Sequence, residues 1–116
     1  MLLNLVSAAH FGLKNFDQAI ENYNKILAIN PQDAMAYFNI GTIFSENKEF
    51  DAAIENYQNC LKVNPNHAEA YDSMGNALKA QGNLTSAIEK FSQAINLKPN
   101  FAQAHYNLGV ALQEKG

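Results

Sequence analysis

The stretch from Phe50 to Pro65, FDAAIENYQNCLKVNP, decides the fold, because close variants of it occur at a constant distance on either side. Residues 16–31 read FDQAIENYNKILAINP and residues 84–99 read LTSAIEKFSQAINLKP, each displaced by 34 residues. A period of 34 with helical spacing inside it is typical of stacked helix-turn-helix units, which bury their apolar faces only against one another. The stretch therefore predicts an all-α solenoid.

Each unit is predicted to hold two helices, which we name the A helix and the B helix. In the second unit, apolar residues recur at Tyr37, Ile40 and Phe44 in the A helix and from Phe50 to Val63 in the B helix. Spacings of three, four and seven residues indicate amphipathic helices, and no segment alternates with a period of two. We therefore expect helices and no strands.

The repeat divides a single domain into units 1–33, 34–67 and 68–101 and a partial unit 102–116. The first unit begins within its A helix, and the last one stops after its A helix. The count is therefore about three and a half units and seven helices. We expect this domain to be a fragment of a longer array.

Proline and glycine recur at fixed places in the units. The prolines follow the B helices, where a fixed φ and a missing N–H stop a helix and push the preceding residue out of the α region; they are Pro31, Pro65 and Pro99. The glycines lie inside the A helices, at Gly41, Gly75 and Gly109. A mid-helix glycine costs about 0.5–1 kcal/mol relative to alanine. We therefore expect another helix to pass too close for a Cβ, at the B-helix alanines Ala19, Ala53 and Ala87.

Composition excludes several classes of partner. The net charge is −3, and all eight basic residues are lysine, whereas nucleic-acid binding needs a basic face and usually arginine. No apolar run approaches the ~20 residues that span a bilayer, so we expect no membrane partner. A single cysteine, Cys60, excludes an internal disulfide and favours a reducing, cytoplasmic location.

No catalytic, metal or cofactor site is predicted. His10, His67 and His105 lack metal-ligand spacing, and His10 and His105 are expected at helix-packing positions. Cys60 is expected to be a buried, inert thiol. The phosphate-binding and nucleophile motifs GxxxxGK[ST], GxGxxG and GxSxG are absent, so we expect a protein that is not an enzyme.

The order of residues resembles the tetratricopeptide repeat family. The family's repeat has, in order, an aromatic residue, an apolar–glycine pair, a large apolar residue, an aromatic residue, an alanine, another aromatic residue, a small residue and a proline. The second unit matches this order with Tyr37, Ile40-Gly41, Phe44, Phe50, Ala53, Tyr57, Cys60 and Pro65. The third unit matches them with Tyr71, Met74-Gly75, Leu78, Leu84, Ala87, Phe91, Ala94 and Pro99. The first unit departs from the pattern at Ser7 and Ile26. The resemblance implies an α-solenoid of antiparallel helix pairs in a right-handed superhelix.

The same resemblance implies a non-catalytic scaffold that binds an extended peptide or partner segment. In this family the A helices line the concave groove, where this chain places Phe38, Asn39, Thr42, Asp72, Asn76, Lys79, Tyr106 and Asn107. Side-chain amides both donate and accept hydrogen bonds, so they can bracket a peptide backbone. With Lys79 as its one basic residue, the groove favours a neutral or weakly basic ligand over the acidic tails of heat-shock chaperones. The alternative to a peptide-binding groove is that these polar residues only form a solvated face, which any solenoid needs.

Two other functions stay open. Asn39 and Asn107 resemble the asparagines of the repeat arrays in O-linked N-acetylglucosamine transferases, although Ser73 and Leu5 interrupt the series. This resemblance implies a substrate-presenting portion of a larger enzyme. The last helix also has an apolar side without a following B helix, which predicts self-association through Ala104, Leu108, Ala111 and Leu112.

Overall fold

The computed structural model describes residues 15–116, which form α-helices and no strand. The helices are α1 (Phe16–Ile29), α2 (Ala34–Glu46), α3 (Phe50–Val63), α4 (Ala68–Ala80), α5 (Leu84–Leu97) and α6 (Ala102–Lys115). The B helices of the sequence are α1, α3 and α5, and the A helices are α2, α4 and α6. The predicted all-α fold is confirmed. The seventh predicted helix, the A helix of the first unit, lies outside the described residues.

Turns occur where the proline and glycine pattern predicts them. The residue before each proline has φ between −140° and −133° and ψ between 83° and 91°, outside the α region, at Asn30, Asn64 and Lys98. The turn from each A helix to its B helix passes through a left-handed residue, Lys48 at φ 62° and Gly82 at φ 83°. The 34-residue sequence repeat is therefore also a repeat of backbone conformation.

The helices stack in chain order. Each helix packs against the next, and the A helices also contact one another, α2 with α4 and α4 with α6. Connections of three or four residues make consecutive helices antiparallel neighbours. The result is an elongated body of 44 × 26 × 21 Å with the A helices side by side.

Two aromatic rings form the centre of the core. Tyr57 and Phe91 are the largest fully buried side chains, and each comes from a B helix. Tyr57 of α3 packs with Met74 of α4, and Phe91 of α5 packs with Ala111 of α6. Each ring therefore joins its own repeat to the A helix that follows.

The same rings lie on the mid-helix glycines. A Cβ added to Gly75 would sit 2.5 Å from Cε1 of Phe91, and one added to Gly41 would sit 2.7 Å from Cε1 of Tyr57. Real Cβ atoms essentially never approach within 3.0 Å, so the predicted close approach is confirmed at both glycines. The partner is different from the predicted one. The ring fills the space, rather than the alanine four residues before it, although the Ala53 carbonyl oxygen also lies 3.1 Å from the Cβ position of Gly41.

Gly109 does not follow this rule. A Cβ built at Gly109 meets no atom within 4 Å, and the residue is exposed. The predicted close approach is therefore wrong here, because no B helix among the described residues covers this side of α6.

The three glycines allow a stability test with an internal control. We expect Gly75→Ala to lower the free energy of unfolding by about 1–3 kcal/mol, because the buried Phe91 ring must shift to admit the methyl group. Gly109→Ala should raise it by about 0.5–1 kcal/mol, because alanine favours the helix and meets nothing. Urea unfolding followed by circular dichroism measures both. Equal shifts in the two variants would contradict the account.

Candidate peptide-binding groove

The predicted groove residues occupy equivalent positions on neighbouring A helices. Phe38, Asp72 and Tyr106 are 34 residues apart on α2, α4 and α6, and the other members keep the same register. Because these helices lie side by side, the residues fall on one face of the stack. This face, which we call the A-helix groove, comprises Phe38, Asn39, Thr42, Asp72, Asn76, Lys79, Tyr106 and Asn107.

Two of these residues are paired with each other. The Nδ2 atom of Asn107 donates a hydrogen bond to Oδ1 of Asp72 at 3.0 Å, and the side chains belong to α6 and α4. Asp72 is 5% exposed and Asn107 is 8% exposed. From the sequence, both side chains were expected to face the groove and contact a ligand, whereas packing between the two A helices buries them. Their bond fixes α4 relative to α6.

The buried carboxyl group of Asp72 has an unusual environment. Burial raises the pKa of Asp72 above its ordinary value, the Asn107 amide partly offsets this, and the negative charge of Glu69 adds to it. Glu69 shows the opposite shift. A hydrogen bond to its own backbone and the Lys98 ammonium, 3.3 Å away, lower the pKa of Glu69. These two carboxyl groups, three residues apart on α4, therefore have pKa values shifted in opposite directions.

Phe38 and Thr42 are tied into the stack between repeats. The ring centroid of Phe38 lies 5.7 Å from that of Tyr57 and 5.0 Å from that of His67. The hydroxyl of Thr42 donates to the Phe38 carbonyl at 3.0 Å and accepts from the Tyr57 hydroxyl at 3.4 Å. Both residues are half-buried. Contacts with Tyr57 of α3 and with His67 at the start of α4 therefore hold these two side chains of α2 in place.

His67 is a residue whose contact with the groove the sequence did not reveal. Its Nδ1 accepts a hydrogen bond from the Ala70 N–H at 3.2 Å and so caps α4, while its ring lies against Phe38. Asp33 caps α2 in the same register by accepting from the Ala36 N–H at 3.1 Å. The 34-residue spacing between Asp33 and His67 was the signal that could have identified this cap.

The remaining candidates keep their polar groups available. Asn39, Asn76 and Lys79 are half-buried, and their side chains make no hydrogen bond or ion pair to the described residues. Tyr106 is 72% exposed, at the register position that Phe38 and Asp72 occupy on the other A helices. Two amides, one ammonium and one aromatic ring of the A-helix groove are therefore partly or largely exposed.

Residues of other chemistry lie away from this groove. Cys60 is fully buried, and burial raises its thiol pKa to about 11, so the predicted inert thiol is supported. His105 is exposed rather than packed, because its Nε2 lies 2.8 Å from the Pro99 carbonyl oxygen outside the core; His10 is outside the described residues. Residues 15–116 contain no cluster of three metal-ligating His, Cys, Asp or Glu side chains. No helix among them is long and apolar enough to cross a membrane.

Two shallow depressions also lie outside the A-helix groove. One has a volume of about 400 Å³, next to the turn between α2 and α3, and is lined by Lys48, Glu49, Phe50, Asp51, Ala52 and Gln81. The other, of about 220 Å³, is lined by Pro65, Tyr71, Gln93, Asn96 and Leu97. No residue of the A-helix groove lines either depression.

Comparison with family models identifies the repeat. A model described as TPR repeat matches residues 9–48 and 75–116, and two described as tetratricopeptide repeat match residues 34–67 and 56–89. The chain belongs to the tetratricopeptide repeat family. No curated protein matches the sequence.

Several solved structures share this fold. The first TPR of Spaghetti (RPAP3) bound to HSP90 peptide SRMEEVD aligns with a TM-score of 0.88 at 23% identity, covering 97% of this chain and 90% of that one. The NMR structure of the first TPR domain of human RPAP3 gives 0.88 and 23%, covering 97% and 88%. A crystal structure of MamA gives 0.87 and 28%, covering 98% and 67%. The narrower similarity to O-linked N-acetylglucosamine transferases stays a prediction.

The Asp72 pair predicts a pH-dependent effect of substitution. A carboxyl whose pKa is raised by folding stabilises the fold below its ordinary value of 3.8, and that contribution is lost as pH rises through the raised pKa. Asp72→Asn keeps an oxygen acceptor for Asn107 and carries no charge. We therefore expect the variant to have a higher Tm than the wild type at neutral pH, with the difference shrinking as the pH falls towards 3.8.

Asn107→Ala is the control for this prediction, because it leaves the buried carboxylate without its donor and should cost about 1–3 kcal/mol. Thermal unfolding by circular dichroism across the pH range compares the three proteins. A loss in Asp72→Asn as large as the loss in Asn107→Ala would show that the charge itself is required.

Proposed function

We propose that this chain is a non-catalytic interaction scaffold that binds an extended peptide or partner segment along the A-helix groove. The observation that supports this most is the set of unpaired amides: Asn39 and Asn76 lie partly exposed on adjacent A helices without a partner among the described residues. Polar groups without partners on a family's interaction face are available to bind a ligand. Membership of a family of interaction modules supports the same function.

The groove residues would contribute to peptide binding in different ways. The amides of Asn39 and Asn76 can each donate to and accept from a peptide backbone, which holds an extended strand without reading its side chains. Tyr106 offers a large exposed ring as an anchor, and such rings dominate many interfaces. Asp72 and Asn107 act indirectly, because their hydrogen bond sets the distance between α4 and α6.

Charge favours a neutral or weakly basic ligand. The first TPR of Spaghetti (RPAP3) is bound to an HSP90 peptide, SRMEEVD, that contains three acidic residues. Here Lys79 is the one basic residue of the A-helix groove, and Glu46 and Glu114 lie exposed at its end on α2 and α6. Binding an acidic tail needs several cationic donors, so we expect this groove to discriminate against it.

Two weaker alternatives rest on particular residues. A substrate-presenting role in a larger enzyme rests on Asn39 and Asn107, but Asn107 already bonds Asp72 and is buried. Self-association through α6 rests on Leu112, which is 51% exposed. Its predicted surface is narrower than expected, because Ala104 and Ala111 are fully buried. The cytoplasmic location and the absence of nucleic-acid and membrane partners remain part of the proposal.

Selection of peptides tests the proposed groove. Two phage-displayed libraries of random heptapeptides, one with free N-termini and one with free C-termini, are selected for binding to the full chain. The Kd of each selected peptide, made synthetically, is then measured by fluorescence polarisation. We expect neutral or basic peptides to be enriched. The triple variant Asn39→Ala, Asn76→Ala, Tyr106→Ala should weaken their binding by about tenfold or more.

A matched variant on the B helices controls for general effects on the surface. It combines Glu55→Ala, Gln58→Ala and Glu89→Ala, all at exposed positions of α3 and α5, and should bind the selected peptides as the wild type does. Circular dichroism verifies that both variants are folded. Equal loss in the two variants, or enrichment of acidic peptides, would refute the proposed groove.

A further inference from the structure

A contact between Met35 and His67 joins the second unit to the third. The Nε2 atom of His67, which caps α4, lies 3.4 Å from the sulfur of Met35, the second residue of α2, within hydrogen-bonding distance of sulfur. One repeat later the equivalent residue is Glu69, whose carboxylate lies 3.3 Å from the Lys98 ammonium in the turn before α6. The second residue of an A helix therefore contacts the following turn in both units, as a thioether in one and as a carboxylate in the other.

The hydrogen bonds of His67 place its proton on the side of Met35. Nδ1 accepts the Ala70 N–H at 3.2 Å, so the neutral ring carries its proton on Nε2. The Glu69 carboxylate lies 3.8 Å from Nδ1, beyond hydrogen-bonding distance. The Nε2–H of His67 is therefore a donor to the Met35 sulfur. Because a thioether is a weak acceptor, this donor is poorly satisfied.

Met35 is also accessible to a dissolved oxidant. It is 52% exposed, whereas Met74 is 2% exposed and packs with Tyr57 in the core. Cys60 is fully buried, and burial raises the pKa of its thiol to about 11, so little of the reactive thiolate forms. Susceptibility to oxidation follows exposure and, for cysteine, thiolate character. Among residues 15–116, Met35 therefore presents the most accessible sulfur-containing side chain.

Oxidation by a hydroperoxide would turn this weak acceptor into a strong one. With hydrogen peroxide, a sulfur lone pair attacks one peroxide oxygen, so that an S–O bond forms and the O–O bond breaks. The proton of the transferred oxygen passes to the departing hydroxide, which leaves as water. The sulfur is oxidised to a sulfoxide and the peroxide is reduced. The polar sulfoxide oxygen accepts an N–H far better than the thioether sulfur does.

We propose that Met35 is a site of reversible oxidation by hydroperoxides, and that its sulfoxide oxygen accepts the Nε2–H of His67. The methionine side chain has flexible torsions, so the new oxygen can turn towards Nε2. The stronger bond ties α2 to the start of α4, and it polarises the ring so that Nδ1 holds the Ala70 N–H more tightly. Exposure leaves the sulfoxide accessible to methionine sulfoxide reductases. The site does not rest on the peptide-binding function.

Peptide mapping by mass spectrometry tests the selectivity of oxidation. The folded full chain is treated with hydrogen peroxide, and we expect Met35 to be oxidised at least about tenfold faster than Met74. The same chain unfolded in urea is the control, in which the two rates should be equal. Equal rates in the folded chain would contradict the proposal.

Thermal unfolding tests the hydrogen bond, with His67→Asn as the matched variant. Asparagine can cap α4 as Asp33 caps α2, but its side chain is too short to reach Met35. Circular dichroism at about pH 8, where imidazole is ordinarily neutral, gives the Tm of each protein before and after oxidation. We expect oxidation to raise the Tm of the wild type by about 2–6 °C relative to its effect on His67→Asn.

Met35→Leu controls for oxidation at other sulfur atoms. Its Tm should not change on the same treatment, because leucine has no sulfur to oxidise. A Tm change in Met35→Leu equal to that of the wild type would assign the effect to another residue and contradict the proposal.

A long-range proton–nitrogen correlation spectrum of the histidine-labelled chain observes the proton directly. We expect the reduced chain to carry the His67 proton on Nε2, and oxidation to shift the Nε2 resonance and slow hydrogen exchange of the Ala70 amide. Methionine sulfoxide reductases should reverse both changes. A His67 proton on Nδ1, or Tm changes that are equal in the wild type and His67→Asn, would overturn the proposal.

Discussion

The contact of a B-helix ring with an A-helix glycine is the constraint on which the rest of this structure depends. The Phe91 ring lies against Gly75 and the Tyr57 ring lies against Gly41. At this distance, the two helices of a repeat leave no room for a Cβ at the glycine position. The same rings then pack against the next A helix, through Met74 and Ala111. One buried side chain per repeat thus fixes both the helix pair and its position in the stack.

This arrangement produces two different surfaces on the A helices. The side that meets the B-helix rings must be apolar and small, as the close approach of the rings to Gly41 and Gly75 shows. The side along the A-helix groove does not pack against these rings, so it can carry polar residues such as Asn39, Asn76 and Lys79. Neighbouring A helices are held at fixed spacing by contacts such as the Asp72–Asn107 hydrogen bond. The proposed peptide site therefore follows from the same packing that buries the rings.

The sequence predicted the features that depend on local spacing and on the repeat, and it missed contacts that only the adjacent helices decide. Prolines and the apolar period gave the helices, because each signal acts within one or two turns of its own chain. The burial of Asp72 and Asn107 was missed, since each resembles an exposed polar residue until the two helices are adjacent. Gly109 was misassigned for a related reason: a glycine's neighbour is decided by another helix and not by the glycine itself.

The most direct test of the central contact is a nuclear Overhauser spectrum of the isotopically labelled chain. The structure predicts strong cross-peaks from the Hα protons of Gly75 to the Phe91 ring and from those of Gly41 to the Tyr57 ring, because these ring atoms lie within 2.8 Å of the glycines' Cβ positions. Absence of the Gly75 and Gly41 cross-peaks in the folded protein would contradict the account, because the rings would then lie elsewhere and the glycines would need another explanation.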